Sequence, residues 1–457
     1  MRNPLRLFLI VFSALAFLTI LSICPWSEWT GGRLKDFNLL GDVLPHTPAA
    51  DSAVADNIDP ELAKLESELP PDSVVQQTAD TLPPVADDFI APMRDGSVLI
   101  EDYSTDGTGL PALASKLREA ADRKVRIAFV GDSYIEGDIL TQDIRAGLHD
   151  RYSGCGVGYV GAFSQFPGFR SSVSQSCSGW EETEIRKMNA TDPLRTILGH
   201  YHTAQDGALT RFKGSAKPAH TEAWQNTTVL FVAPESGTIT LSGSDNQAQT
   251  FTIESSASIQ AISLNAQSAD ISLSTDIAGL QVLGIWLEGE HGIVLDDISL
   301  RGNSGVSHRR LSETATAQMR QWIDYDVIIL EFGLNAASVE QTNYTAYGRG
   351  MVEVINNLKT LYPHASIMLL GVGDRAIKQG TSYVSMPTLP ALVKAQREAA
   401  RVTGSLFYDT RAAMGGDGAA VDWHTRKLVN SDYVHLNHRG GKELADIILK
   451  SLDTSLQ

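Results

Sequence analysis

Two places in the chain hold the residue types that acyl-transfer chemistry needs. Val125 to Ser133, VRIAFVGDS, is apolar apart from Arg126 until it reaches Gly131-Asp132-Ser133. Such a run predicts a buried strand that turns at the glycine, with a helix beginning just after it. Ser133 then sits at the carboxyl edge of a sheet, where open α/β folds gather their ligands. Near the other end, Asp432-Tyr433-Val434-His435 has a spacing that lets one loop present an imidazole while its carboxylate holds the second ring nitrogen. A serine nucleophile needs that base, the base needs that orienter, and the developing oxyanion needs donors. Gly302-Asn303-Ser304-Gly305 and Gly333-Leu334-Asn335 supply them, a close backbone N–H at Gly305 and a side-chain amide at Asn335. The plainer reading of the first motif is that Asp132 or Ser133 merely caps the following helix.

Other polar residues are read more plainly. His200 and His202 alternate on a possible strand without a third ligand at metal spacing, so no metal site is expected there. His308 follows the Gly302–Gly305 motif closely enough to reach a substrate, but beside Arg309 and Arg310 it is expected on the surface. Asp374 in GVGDR either lines a pocket or caps a helix. His424 is a weak alternative base, because Asp422 lies only two residues away and cannot easily orient it.

Strands and helices in alternation must carry these groups to one edge. A helix from Pro111 to about Arg123 leads into the Val125 strand, and Ile139, Ile144 and Leu148 continue a helix to about Tyr152. From Asp326 the sequence repeats the pattern: DVIILEF, a helix over Tyr347 to Leu361, SIMLLGVG, a helix over Leu389 to Val402, LFYD from Leu406, and a last helix from Gly440 to Leu452. Strands separated by helices of this length need crossover connections, hence a parallel sheet between helices.

Between these halves the texture changes. From Thr227 to Leu300, TTVLFVA, GTITLSG, QTFTIES, ADISLST, LQVLGIWLEGE and GIVLDDISL are short β-branched runs separated by turn residues, which predicts an inserted antiparallel β-sandwich. Trp224 and Trp286 could stack on a sugar, although Trp286 lies in an apolar strand and reads as core. The glycines of Gly154 to Gly161 lack the Lys-Ser/Thr of a phosphate loop and read as a tight loop beside the site. Cys155 and Cys177 could form a bridge or remain two small buried thiols.

The amino end reads as targeting and tether. After Arg2 and Arg6, Leu7 to Cys24 is an uncharged apolar run of 18 residues, close to a membrane span, with the charges marking the cytoplasmic side. PWSEW follows without a convincing cleavage site, so a signal anchor is favoured over a cleaved peptide, with a lipoprotein signal third. From Asp42 to Asp106 there are 15 acidic residues against Lys64 and Arg94, among eight prolines, a composition expected to be a flexible acidic stalk. ELAKLESEL within it could form a transient helix. The chain carries a net charge of −17, which excludes a basic nucleic-acid surface, and most of that charge resides in the stalk.

Ser133, Gly305, Asn335, Asp432 and His435, in this order, resemble the SGNH branch of the GDSL esterase/lipase family. The resemblance covers roughly Lys124 to Tyr152 and Gly302 to Leu452. It implies a flavodoxin-like three-layer α/β fold, with Ser133 as nucleophile, Gly305 and Asn335 in the oxyanion hole with the Ser133 amide, and His435 as base beside Asp432. No cofactor or metal is implied. Two departures stand out: Ala336 replaces the acid of the usual G-x-N-D motif, and Gly302 could replace Gly305 as the donor. The implied organisation is 1–26 as anchor, 27–106 as linker, 107–200 with 301–457 as the hydrolase domain, and 201–300 as the β module. An exported, tethered head of this kind looks like bacterial peptidoglycan and polysaccharide O-acetylesterases and O-acetyltransferases. The implied partners are an acetylated glycan, the membrane and, for transfer, a membrane acyltransferase. A lipase is the alternative within the family, and a non-catalytic glycan-binding protein is the alternative outside it.

Overall fold

The run that ends at Ser133 becomes the pivotal strand of a mostly parallel sheet. The computed structural model describes residues 59–68, 93, 96–243 and 248–457. Helix α1 (Pro60–Glu68) and strand β1 (Glu101–Asp102) precede α2 (Leu110–Glu119), β2 (Lys124–Gly131) and α3 (Thr141–Tyr152). An all-β stretch follows: β3 (Gly156–Val160), β4 (Val173–Glu184), β5 (His200–Gly214), β6 (Trp224–Ala233), β7 (Gly237–Gly243), β8 (Ala248–Ile253), β9 (Ser256–Ser268), β10 (Asp270–Thr275) and β11 (Gln281–Glu288). Alternation returns with β12 (Gly292–Ser299), α4 (Glu313–Met319), β13 (Val327–Glu331), α5 (Thr345–Leu361) and β14 (Ser366–Leu370). A hairpin of β15 (Ala376–Gln379) and β16 (Ser382–Ser385) leads to α6 (Leu389–Val402), β17 (Leu406–Tyr408), α7 (Thr410–Met414), α8 (Ala419–Thr425) and α9 (His438–Ser455).

The first sheet has the order β1-β17-β14-β13-β2-β12, and only β1 runs antiparallel to its neighbour. Counting the parallel strands along the chain, the second and third flank the first, which is the flavodoxin-like order with its switch point at the carboxyl end of β2. Ser133 follows that end directly. The β2, β13 and β14 side chains are buried almost throughout, so these strands read as unbroken apolar runs instead of alternating ones. Helix α5 turns Tyr347, Met351, Val354, Ile355 and Leu358 inward, and α9 does the same with Leu444, Ala445 and Leu449.

Several sequence expectations change here. The helix after Ser133 begins only at Thr141, because a short 3-10 turn at Glu136–Asp138 intervenes and Gly137 and Asp138 adopt positive φ. GIVLDDISL, assigned to the β module, is instead the parallel edge strand β12, in register with β2 from Gly292↔Lys124 to Ser299↔Gly131. The module itself starts earlier. Its nine strands, with β3 on β11 and β4 on β5, share one hydrogen-bonded network around a core that includes Val157, Phe212, Phe231 and Val282, not two separate sheets. The glycine segment at 154–161 is largely strand β3 and not a loop. Trp224 and Trp286 are fully buried, which removes both as sugar platforms. Cys155 and Cys177 are both unpaired.

The stalk expectation also yields in part. Residues 59–68 and 96–106 are ordered against the domain: Leu62, Leu65, Val98 and Ile100 are buried, and Glu101 pairs with Phe407. Composition missed them because two apolar residues on one helical turn suffice when a surface is waiting. The apolar Leu7 to Cys24 run lies outside the described residues; among those described, no helix is long and apolar enough to cross a membrane.

The two halves are joined by buried polar groups. Arg126, the one charge in its strand, donates to both carboxylate oxygens of Glu288 on β11, at 2.5 and 2.8 Å. Asp296 of β12 accepts from the Tyr159 N–H, Trp286 Nε1 and the Tyr325 hydroxyl. Asp138 and Arg145 form a fully buried bidentate pair, which Ser172 and Arg170 of the β3–β4 connection join. Burial alone would raise the Asp138 carboxyl, but the Arg145 and Arg170 charges outweigh it and hold the pKa well below the usual range. Removing one partner of such a pair strands a buried charge at a cost of about 3–5 kcal/mol. Arg145→Met should therefore lower the urea-denaturation free energy by about that amount, whereas truncating an exposed pair such as Lys442–Asp446 should change it by less than about 1 kcal/mol.

Candidate active site

Four strand-end or loop segments meet at the carboxyl edge of β2. The last of them, between α8 and α9, is a tight turn: Val429 bridges Leu436, and the Asn430 N–H donates to the His435 carbonyl at 2.9 Å. Asn437 caps α9 by accepting from the Arg439 and Gly440 N–H groups. Gly441 then packs so closely on the segment after Ser133 that a Cβ there would meet the Ile139 carbonyl at 1.9 Å. That close approach brings the histidine loop to the serine.

Ser133 Oγ lies 2.9 Å from His435 Nε2, and His435 Nδ1 lies 2.8 Å from Asp432 Oδ2. The other Asp432 oxygen accepts from the Val434 and His435 N–H groups. Burial would raise the Asp432 carboxyl, but the hydrogen bond and charge of His435, with those two N–H groups, hold it below the usual carboxylate range. An ionised carboxylate only accepts, so it fixes the imidazole proton on Nδ1 and leaves Nε2 to accept from the Ser133 hydroxyl. The His435 side chain is 17% exposed and that of Asp432 32%, so the line of groups is open to solvent from the dyad end.

The donor side differs from expectation at one residue. The Gly305 N–H donates to Asn303 Oδ1 at 2.8 Å, and a Cβ at Gly305 would meet the Phe332 ring at 2.6 Å; Gly305 is a packing residue and not an open donor. Gly302 and Ser133 have backbone N–H groups with no hydrogen-bond partner among the described residues. Asn335 is at the site, but its Nδ2 donates to Asp132 Oδ2 at 2.9 Å and to the Asn303 carbonyl at 3.1 Å, so it ties loops together while facing the reacting serine's neighbour.

The remaining candidates fall elsewhere. His424 turns Nδ1 toward the Asn430 carbonyl and packs at a tilt against the Tyr433 ring, and the Ser133 hydroxyl meets His435 instead. Asp374 is buried and accepts from Ser385, Arg411 and the Ala420 N–H near the start of α8, a capping and bracing role. His308 is buried against Phe332, not exposed; burial, reinforced by the Arg195 charge, lowers its pKa to about 4. His200 and His202 lie near Glu182, and no group of three or more ligands that could hold a metal occurs among the described residues.

The sequence did not mark Asp132 or Glu331 as buried acids, nor Arg375 as a buried cation beside the site. Asp132 is completely buried, and burial pushes its carboxyl up to about 6 despite the Tyr134 N–H, His435 and Asn335. Glu331, at the end of β13, is pushed well above the usual range by burial and by Asp132, and its Oε2 has no hydrogen-bond partner among the described residues. Arg375 is also buried, donating to the Leu334 carbonyl beside Asn335. Nothing in an apolar strand ending Leu-Glu-Phe marks its glutamate as buried.

No protein-family model and no curated protein matches the chain. Among solved structures it is similar to one titled as a peptidoglycan O-acetylesterase in action, at 20% identity and a TM-score of 0.64, over 79% of this chain and 99% of that one. The chain shares that structure's fold. That share of this chain cannot be reached without the β module, so the likeness takes in both halves. A family two carbohydrate esterase from Clostridium thermocellum matches at 10% identity over 61% of this chain and 98% of that one, and a GDSL-like lipase from Parabacteroides merdae at 17% over 36% and 74%. Their TM-scores of 0.27 and 0.28 carry no further argument.

The buried acid gives a pH signature. A carboxyl whose folded pKa is raised binds its proton more tightly in the native state, so its contribution to stability falls as pH rises above the unfolded value of about 4.3. A glutamine amide in its place has no such proton to lose. Glu331→Gln should therefore gain melting temperature relative to wild type as pH goes from 5 to 8; an unchanging difference across that range would show that Glu331 is ionised in the native protein.

Proposed function

We propose that the chain is a serine esterase that removes or transfers O-acetyl groups on an extracytoplasmic carbohydrate such as peptidoglycan or a surface polysaccharide. The observation that carries this reading is the line Ser133 Oγ, His435 Nε2, His435 Nδ1, Asp432 Oδ2, with both contacts at hydrogen-bond distance. In the first step Ser133 Oγ attacks the acetyl carbonyl carbon as His435 Nε2 takes its proton. The carbonyl oxygen becomes an oxyanion within reach of the free Ser133 and Gly302 N–H groups. Collapse breaks the ester bond, and the sugar oxygen leaves with the proton from Nε2. Water, or another sugar hydroxyl, then attacks the acetyl-serine by the same route, giving acetate or a transferred acetyl group. Asp432 stabilises the imidazolium throughout without taking the proton.

The carbohydrate part of the reading is supported by exposed aromatics near the site. Phe166 and Phe169, 38% and 47% exposed, stack in parallel with centroids 5.1 Å apart. Phe169 rests against Gly137 of the turn after Ser133, and Arg301, next to Gly302, lies over the Phe166 ring at 5.3 Å. Across the dyad loop, Tyr383 stacks on Tyr433 at 3.8 Å. Flat apolar faces beside polar edges suit sugar rings, and the shared fold with a peptidoglycan O-acetylesterase points the same way. The N-terminal apolar run would anchor the enzyme in the membrane with its catalytic head outside the cytoplasm, where transfer would draw on a membrane acyltransferase as acetyl donor.

Two measurements test this reading. Ser133→Ala and His435→Ala should each lower kcat on a chromogenic acetyl ester by about 10^4-fold or more, Asp432→Ala by less, and a serine-reactive phosphonate should label Ser133 alone. Full activity in Ser133→Ala would overturn the assignment. Phe169→Ala should lower kcat/KM on acetylated polysaccharide about tenfold while changing the small ester less than twofold, since remote contacts help only a substrate large enough to make them. Equal losses on both would remove the sugar-binding role.

A further inference from the structure

The helix that lies ahead of the catalytic domain in sequence reaches the loop that carries Gly302. Asp59 is buried, and its Oδ2 accepts from both the N–H and the Oγ of Ser304, at 2.9 and 2.8 Å, across 245 residues of chain. Its Oδ1 accepts from the Glu61 N–H at 3.0 Å and so caps α1. One carboxylate thus fastens the helix start to the middle of Gly302–Gly305. Leu62 and Leu65 bury the inner face of α1, and Leu65 fits so closely that a Cβ on Gly350 of α5 would meet it at 2.7 Å.

From Ser304 the connection runs to the site without a break. Asn303, its neighbour, accepts through its carbonyl from Asn335 Nδ2, and Asn335 donates in turn to Asp132, the residue before Ser133. The Asn303 side chain accepts from the Gly305 N–H and the Ser307 hydroxyl, which closes the loop on itself. Ser304 has no hydrogen-bond acceptor other than Asp59 for its N–H or its hydroxyl among the described residues. Without that carboxylate two buried donors would be stranded, and the loop would have to shift to reach water.

We propose that Asp59 is a positioning residue for catalysis, holding the Gly302–Gly305 loop so that the Gly302 N–H meets the developing oxyanion. This rests on the esterase reading above and extends it: the segment between the apolar run and the domain completes the active site as well as connecting the two. The loop is set by a group supplied from outside the hydrolase domain's own sequence span. Its effect falls on the transition state, because the oxyanion forms only there, so it acts on kcat more than on KM.

The test uses the full chain and a chromogenic acetyl ester. Asp59→Ala should lower kcat about tenfold with KM changed less than twofold, and should weaken inhibition by a boronic acid, which mimics the tetrahedral state, by a similar factor. Asp59→Asn keeps an acceptor for Ser304 while giving up the cap, so it should recover most of kcat even if its melting temperature falls. Ser304→Ala removes one of the two donors and should lower kcat in the same sense, and the Asp59→Ala/Ser304→Ala double variant should lose less than the product of the two single losses. If Asp59→Ala does not fold, Asp59→Asn and Ser304→Ala carry the test alone. An active wild type matched in kcat by Asp59→Ala, or by Ser304→Ala where that variant is the one that folds, overturns this inference only. So does a melting-temperature loss without a kcat loss, or strictly multiplicative losses in the double variant. A wild type that releases no acetate, or a Ser133→Ala variant that does, overturns the esterase reading and this inference with it.

Discussion

Asn335 holds the site together by donating to two acceptors that belong to different loops. One hydrogen goes to Asp132 after β2 and the other to the Asn303 carbonyl after β12, while Asn335 itself follows β13. These are the pivotal strand and its two neighbours in the sheet, so one amide fixes the relative positions of three strand ends. The arrangement demands an acceptor at Asp132, yet Asp132 is completely buried and beside Glu331, and two charged carboxylates there would repel. Asp132 has the Tyr134 N–H, Asn335 and the nearby His435 to favour its charge, whereas burial and the Asp132 charge push the Glu331 carboxyl well above the usual carboxylate range.

The polar junction between the two halves follows from the same geometry. Strand β12 returns from the β module and must then lie beside β2 in full register, delivering Gly302 within three residues of its end. A module that swung freely would move that loop. Arg126 with Glu288, Asp296 with three donors, and the Asp138–Arg145 pair hold it from the end of β11, from the middle of β12 and from the turn after Ser133. Buried charge pairs add little stability over apolar packing, but they tolerate little displacement, which suits a joint that sets donor positions.

Much of this was legible in the sequence because the parallel strands are covered on both faces and so read as continuous apolar runs, as VRIAFVG and DVIILEF do. The Asp432-x-x-His435 spacing was equally legible, since both groups act from one turn. What escaped shares a different property: its meaning depends on a partner far along the chain. Strands β4 and β5 alternate Ser, Gln, Glu and His with few apolar residues, and β12 looks like one more module strand until its pairing with β2 is seen. Gly305 and Gly302 are indistinguishable by type, and only the Asn303 side chain and the Phe332 ring separate a packed glycine from an open one. Leu62 and Leu65 lie in a span whose acidity and prolines outweigh them in any compositional average.

The dyad loop shows how a short spacing becomes a working geometry. Tyr433, between Asp432 and His435, has φ of 59°, a left-handed conformation that costs a bulky residue of order 1–3 kcal/mol. It persists because the surroundings over-determine it: the ring stacks on Tyr383 and packs at a tilt against His424, its N–H donates to the Asn430 carbonyl, and its carbonyl accepts from the Ala376 N–H. That reversal of direction lets the Asp432 carboxylate accept from the Val434 and His435 N–H groups and still meet His435 Nδ1. An extended residue at 433 would carry His435 away from its own orienter. The hairpin that supplies Tyr383 therefore braces the turn that presents His435 without touching the histidine itself, and the same stack leaves an aromatic surface beside the site.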